Sequence, residues 1–309
     1  MPNEDDLSWL PAPDRLGFTR MAYAFEGAKL TAEMFCQRPR RFVVLKDASD
    51  DLRAPPPPGT KRLRCVRHGE GHHNVFRAAE FAAGRTPHAK RGNFAEVPEW
   101  LFDPALTPKG EGEARAARPL AEAGRDPELV VVSPLRRACR TGLLAFQRAV
   151  GRGVPVVAHE MAREAYRGMD PSIYDAHRGR SELEAEFPGV DFASHVPAEA
   201  GPGLQGDPNW LTYTSPCRCY LEAGESHASN AQRAWHLMCW LMDRPERDIA
   251  LASHSLFILA MLHGAVEEKS ANGTLGPPKG VQIYKTGELR TFLVAERPAP
   301  ARLFWRSAR

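Results

Sequence analysis

Apolar positions along the chain switch between the strand period of two and the helical period of 3.6. Leu63, Cys65 and Val66 form an apolar run that Gly69 breaks, which predicts the carboxyl end of a buried strand. Val75 to Ala83 has helical spacing and ends near Gly84. Residues 85 to 105, with Pro, Gly and mixed charge, read as a long loop. Thr107-Pro108 opens a helix running to about Gly124, with Thr as N-cap and Pro at the first helical position. Leu129-Val-Val-Val-Ser133 is a strand by its β-branched content, and a helix from Ser133-Pro134 to about Val150 follows. Val154 to Ala158 is the next strand; Ser181 then caps a short helix over Glu182 to Phe187. Glu225 to Met242 is a helix with Ala231, Ala234, Trp235, Met238 and Leu241 on one face. Ile249 to Ser253 is a fourth buried strand, and Leu256 to Gly264 an apolar helix. Gln282–Tyr284 and Leu289–Val294 flank Lys285-Thr-Gly-Glu288 in a hairpin pattern. Strands alternating with helices predict an α/β fold with a mostly parallel sheet covered on both faces.

The first 60 residues have another texture. Residues 18 to 35 predict an amphipathic helix around Met21, Phe25, Leu30 and Phe35, and Phe42-Val-Val-Leu45 a short strand. Arg53-Ala-Pro-Pro-Pro-Pro-Gly59 reads as a stiff extended linker, because its prolines fix the backbone and remove donors. The expected division is an N-terminal extension with a Pro-rich linker over 1–60, packed on or tethered to a main domain over 61–309.

Composition narrows the class. The 309 residues, 43% hydrophobic and 26% charged, suit a soluble globular protein with a substantial core. Net charge is +3, from 41 basic and 38 acidic residues, too balanced to point to nucleic acid. The longest apolar runs, such as Leu256 to Leu262, fall short of a membrane span, and the acidic start Met1-Pro-Asn-Glu-Asp-Asp lacks the regions of a signal peptide. A cytoplasmic protein with neither a nucleic-acid nor a membrane partner is expected; the oligomeric state is left open. Six Cys do not suggest a disulfide scaffold, and Cys217-Arg-Cys219 reads as two thiols rather than a metal site.

Chemistry concentrates at the predicted strand ends. Arg67-His68-Gly69-Glu70 follows the first buried strand, with Asn74 six positions after the His. Arg136, Arg137 and Arg140 fall in the first turns of a helix, where cations oppose the dipole, so a bound anion is the expected offset for at least one. Glu160 and Glu164 follow the strand ending at Ala158, and either carboxylate is a candidate general acid. Arg178 and Arg180 are candidates for a pocket wall, and Lys90, Arg91 and Asn93 of the long loop are candidates to reach an anionic substrate. His254-Ser255 ends the fourth strand. Phosphoryl transfer needs these residue types: a neutral His as nucleophile, cations for the equatorial oxygens, and an acid for the leaving oxygen. No metal or other cofactor is demanded, and Glu70, His72 and His73 read as solvated or supporting residues of the phosphate loop rather than ligands.

Four motifs in order carry a resemblance to a known family: Arg67-His68-Gly69-Glu70-x-x-x-Asn74, Ser133-Pro-Leu135-Arg136-Arg137-Ala138, Ala162-Arg163-Glu164-Ala-Tyr-Arg-Gly168, and Ala252-Ser253-His254. Asp103-Pro-Ala-Leu106-Thr107-Pro-Lys-Gly110 adds the family's usual lead into its second helix. Over residues 61 to 296 the chain resembles the histidine phosphatase superfamily, the phosphoglycerate mutase-like proteins. The resemblance implies a three-layer α/β/α sandwich with a mixed, mainly parallel sheet. It implies His68 as nucleophile, Glu164 as acid/base, and Arg67, Arg137 and His254 as phosphoryl ligands. Asn74 would hydrogen-bond the phosphate or leaving group, and Gly69 and Ser255 would line the substrate site with Arg178 and Arg180. Asn74 is followed by Val-Phe-Arg-Ala-Ala, unlike the glycolytic mutases, and residues 163 to 192 look most like the fungal and plant mutase-like phosphatases. The expected function is hydrolysis of small phosphomonoesters; a phosphomutase and a non-catalytic phospho-ligand-binding protein are the alternatives.

Overall fold

The computed structural model describes residues 40–47, 52–84, 98–165, 173–197, 227–264, 266–269, 275–276 and 284–297. In chain order these give β1 (Arg41–Asp47), β2 (Thr60–Arg67), α1 (His72–Ala82), α2 (Pro108–Ala116) and α3 (Arg118–Ala121). There follow β3 (Leu129–Val132), α4 (Arg136–Ala145), α5 (Gln147–Gly151), β4 (Val156–Ala158), α6 (Arg180–Glu186) and β5 (Val190–Asp191). Last come α7 (His227–Asp243), β6 (Asp248–Ser253), α8 (Ser255–Gly264), β7 (Val266–Lys269), β8 (Leu275–Gly276) and β9 (Leu289–Arg297). The expected helix over 18–35, the basic stretch with Lys90, Arg91 and Asn93, Cys217, Cys219 and residues 282 and 283 of the first hairpin arm lie outside the described residues.

Among the described residues nine strands form one mixed sheet, ordered β5-β4-β3-β6-β2-β9-β1-β7-β8. β2, β3, β4, β5 and β6 run parallel, whereas β9 is antiparallel to both β2 and β1. Period-two alternation sends side chains to two cores. Leu63, Cys65, Leu129, Val131, Ile249 and Leu251 join Trp235, Met238 and Leu241 of α7 and Phe257, Ile258 and Met261 of α8. Val66, Val130, Val132, Ala250 and Ala252 pack on the other face with Cys139 and Ala145 of α4, Phe146, and Leu183 of α6. This is the expected three-layer α/β/α sandwich.

Local differences have local causes. α1 begins at His72, three residues before the apolar spacing starts, because the Asn74 side chain and the Gly71 backbone close its first turn. The helix expected from 107 to 124 bends at Ala117 into α3, and Gly124 ends the segment with φ +72°. Thr107 caps α2, its hydroxyl accepting from Gly110 N at 3.0 Å. The helix after β3 starts at Arg136 rather than Ser133 and breaks at Phe146 (φ −107°, ψ 30°). α6 starts at Arg180, so Ser181 lies inside the helix instead of capping it. The Leu52–Gly59 stretch lies against the core: Leu52 is buried and its carbonyl accepts Arg125 N, while Ala54 and Pro56 accept from Arg62 and Arg247. β1, within the expected extension, is an interior strand between β9 and β7. No helix among the described residues is long and apolar enough to cross a membrane.

Candidate active site

Parallel register aligns the strand ends. Arg67 pairs with Ser253, Val132 with Ala252, and Val132 with Ala158. The next residues, His68, Ser133, His159 and His254, therefore leave the sheet along one edge, where α/β sheets place their sites. His68 N donates to Ser253 O at 2.9 Å and Ser133 N to Ala252 O at 2.9 Å, so both turns hang on β6. The β9 turn closes the other side: Arg67 N donates to Glu288 O and Gly287 N to His68 O.

His68 is 2% exposed, and its Nδ1 lies 2.7 Å from Gly69 O. A carbonyl only accepts, so the proton sits on Nδ1 and Nε2 carries the lone pair. Burial, then the Arg137 and Arg67 guanidiniums, hold the imidazole well below the ordinary value of 6.5, outweighing the Gly69 bond. The His254 ring centroid lies 5.0 Å from that of His68, and its Nε2 meets Ser133 Oγ at 2.8 Å. His73 lies 5.5 Å from His68 and is 4% exposed. Burial and the same two guanidiniums also hold His254 and His73 well below 6.5. Three neutral imidazoles thus share a pocket with two cations, a charge balance suited to a phosphoryl group.

The arginines divide by environment. Arg137 is fully buried; its Nη1 donates to Tyr174 O at 2.5 Å and its Nη2 to Asp175 Oδ1 at 2.9 Å. Arg67 Nη1 donates to Tyr284 O at 2.5 Å. Arg136 turns away to Glu186 at 2.6 Å, and Arg140 to Glu111 at 2.9 Å. Arg178 and Arg180 meet Glu182 and Glu184 one helical turn on, each at 3.3 Å, so neither guanidinium joins the His68 cluster through these contacts.

Of the two carboxylates, Glu164 belongs to the site edge. Its Oε1 accepts Ala165 N at 2.8 Å and Phe257 N at 3.2 Å, in the first turn of the helix that follows His254. A helix N-terminus favours a carboxylate there. Glu160 is held by Arg163 at 3.1 Å and His177 at 3.1 Å. Ser255, 3% exposed, opens α8 beside His254. Asn74 Oδ1 accepts Gly71 N at 2.9 Å, which leaves the amide NH2 as its donor.

Gly69 is a point of backbone contact: a Cβ there would lie 2.1 Å from Gly110 O, and one on Gly110 would lie 2.0 Å from Glu70 O. Gly69 N donates to Thr141 Oγ1 at 3.1 Å. Glu70, expected to be solvated or supporting, is tied to Lys109 at 2.7 Å and Thr107 Oγ1 at 2.9 Å, fastening the loop to α2.

Several supporting residues escaped sequence reading. Asp103 is fully buried with φ 43°, and its carboxylate accepts Arg136 N at 3.0 Å and Arg178 N at 3.1 Å. Burial pushes its carboxyl up to about 6 against those bonds. Arg233 of α7 donates to Met161 O at 2.7 Å, Arg163 O at 2.8 Å and Glu164 O at 3.2 Å, clamping the loop that carries Glu164. An Asp four residues before a helix cap, in Asp103-Pro-Ala-Leu-Thr107, hinted at the first; nothing local pointed to Arg233. No group of three or more His, Cys, Asp or Glu placed to hold a metal occurs among the described residues.

No family model matches the chain. A phosphoglycerate mutase-like protein of Arabidopsis thaliana is 27% identical over 270 residues, 77% of this chain and 85% of that protein. A 2,3-bisphosphoglycerate-dependent phosphoglycerate mutase of Thermobifida fusca is 43% identical over 96 residues, 30% of this chain and 36% of that protein. Among solved structures, a mycobacterial glucosyl-3-phosphoglycerate phosphatase complexed with VO3 is 23% identical, covering 65% of this chain and 78% of that one, at a TM-score of 0.36. An alpha-ribazole phosphatase from Shigella flexneri is 21% identical, covering 66% and 80%, at a TM-score of 0.36. The Arg-His-Gly, Arg137, Glu164 and His254 motifs lie on one sheet edge, and the Arabidopsis protein matches along most of both chains; together they support placing the chain with the histidine phosphatase superfamily, the phosphoglycerate mutase-like proteins.

Proposed function

We propose that the protein hydrolyses phosphomonoesters of small molecules through a phosphohistidine on His68. The observation that carries this reading is the state of His68: a buried neutral imidazole with its Nδ1 proton fixed on Gly69 O, beside two guanidiniums. Its Nε2 lone pair attacks phosphorus; the N–P bond forms as the P–O bond to the leaving group breaks. Arg67, Arg137 and His254 stabilise charge on the equatorial oxygens, and Glu164 gives its proton to the leaving oxygen. The Glu164 carboxylate then takes a proton from water, whose oxygen attacks phosphorus and breaks the N–P bond. Phosphate leaves and neutral His68 returns. Asn74 and Ser255 supply neutral donors at the rim. Every step is written with these side chains and water.

A mutase reading draws on the Thermobifida fusca mutase, matched over 96 residues. The Val-Phe-Arg-Ala-Ala segment after Asn74 favours hydrolysis. A panel of phosphomonoesters incubated without added metal separates them: phosphate release supports hydrolysis, and isomer formation supports the mutase. An alkaline quench should trap a phosphoryl group on His68 in the wild type and none in His68→Ala. A His68→Ala variant that turns over normally would refute the mechanism. Glu164→Gln should lose turnover; if Glu160→Gln loses it and Glu164→Gln does not, the acid is misassigned.

A further inference from the structure

Most arginines around the pocket have a carboxylate. Arg137 faces Asp175, Arg163 faces Glu160, Arg136 faces Glu186, and Arg178 and Arg180 face Glu182 and Glu184. Arg77 is different. Among the described residues it has no hydrogen bond and no carboxylate at ion-pair distance, although its Nε is buried. It sits on α1 four residues after His73, so the two side chains share a face.

That face borders the phosphoryl pocket. The Arg77 guanidinium carbon lies 6.0 Å over the Tyr174 ring, and His73 stacks on the same ring at 5.3 Å. Tyr174 holds Arg137 through its carbonyl, and His73 neighbours His68 at 5.5 Å. The His73 Nδ1 is also buried without a hydrogen bond. A cation and an imidazole, both lacking polar partners and both resting on one ring, continue the line from His68 outward along α1. Partly burying an unmatched guanidinium is costly, and an anion that fills its fork recovers that cost.

We propose that Arg77, with His73 beside it, is a second anion subsite that holds a carboxylate or a further phosphate carried by the substrate's leaving portion. The assignment rests on the phosphatase reading, in which His68 marks where the first phosphoryl group sits. It replaces Arg178 and Arg180, whose forks are engaged by α6, as the group reading that second charge. Arg suits the task because its planar fork binds two oxygens at once, which a Lys ammonium does not.

Binding of non-hydrolysable phosphonates tests this without turnover. Calorimetry would compare 3-phosphonopropionate with propylphosphonate, which lacks the carboxylate. The wild type should prefer the first by about tenfold to hundredfold, the worth of one charge-assisted contact. In Arg77→Gln the ratio of the two affinities should collapse to about twofold, and Arg77→Lys should fall between. No preference in the wild type, or an undiminished preference in Arg77→Gln, overturns the subsite. A bisphosphonate of matching length tells a phosphate-selective subsite from a carboxylate-selective one. If the alkaline quench traps no phosphohistidine while the carboxylate preference still depends on Arg77, the hydrolytic reading fails and the subsite stands.

Discussion

Replacing Gly110 by Ala tests how the catalytic loop is held. Gly110 is on α2, and its role is steric. An ideal Cβ there falls 2.0 Å from Glu70 O and 2.7 Å from Glu70 N and C, all backbone atoms that no rotamer change can move aside. Restoring ordinary contact requires α2 and the His68 loop to part by about 1 Å or more. Glu70 O also accepts Thr107 N at 2.9 Å, and Gly71 pairs with Leu106, so the loop cannot slide without breaking those bonds. Overpacking of this kind costs about 1–3 kcal/mol of stability. A shift of about 1 Å at the nucleophile costs on the order of a hundredfold in rate. Gly110→Ala should therefore stay folded, losing about 1–3 kcal/mol in urea titration, while kcat on a phosphomonoester falls about a hundredfold. A folded variant with wild-type kcat would refute the argument that this contact positions His68.

Other outcomes follow from the same geometry. His68, His73 and His254 stay neutral in the fold below pH 6.5, whereas the unfolded chain protonates them there. The folded state then binds fewer protons, so the stability they contribute is present above pH 6.5 and is lost as pH falls, by about 1.4 kcal/mol per unit for each group. Denaturation midpoints at pH 7.5 and 5.5 check this, and equal values would count against neutral burial. Arg62 and Arg64 both close on Asp248 at 2.7 Å, all three nearly fully buried. Asp248→Ala should cost about 3–5 kcal/mol because two guanidiniums lose their carboxylate, measured by thermal or urea unfolding. Arg233→Met should lower kcat more than it raises KM, since it frees the backbone that carries Glu164 without touching the phosphoryl pocket; unchanged steady-state kinetics would remove Arg233 from the positioning role.

The strand-end chemistry was legible because each residue follows an apolar run that only a buried strand explains. Choosing Arg137 over Arg136 needed motif spacing; the two differ in environment, Arg137 being buried against the Tyr174–Asp175 turn while Arg136 reaches Glu186. Arg178 and Arg180 pair with Glu182 and Glu184, which stand four residues on in the sequence. His73 was expected to be solvated or supporting; starting α1 at His72 turns it inward, where it is buried beside His68. β1 was expected in an extension because nothing near it in sequence shows its partners, β7 and β9, which lie at the other end of the chain. Pairing of that kind is decided by tertiary packing, which local periodicity does not encode.

The position of β2 also bears on how the molecule comes into being. Its two hydrogen-bonded neighbours are β6 and β9, so the strand that delivers Arg67 and His68 can be zipped into the sheet only after residues beyond 289 have joined. Local helices can form early, but this closure waits on distant contacts, the feature that slows folding across small proteins. A ribosome-bound chain or a proteolytic fragment ending before β9 would present β2 with an open edge, an invitation to mispairing. The strand that carries Arg67 and His68 is thus among the last parts of the fold to be secured.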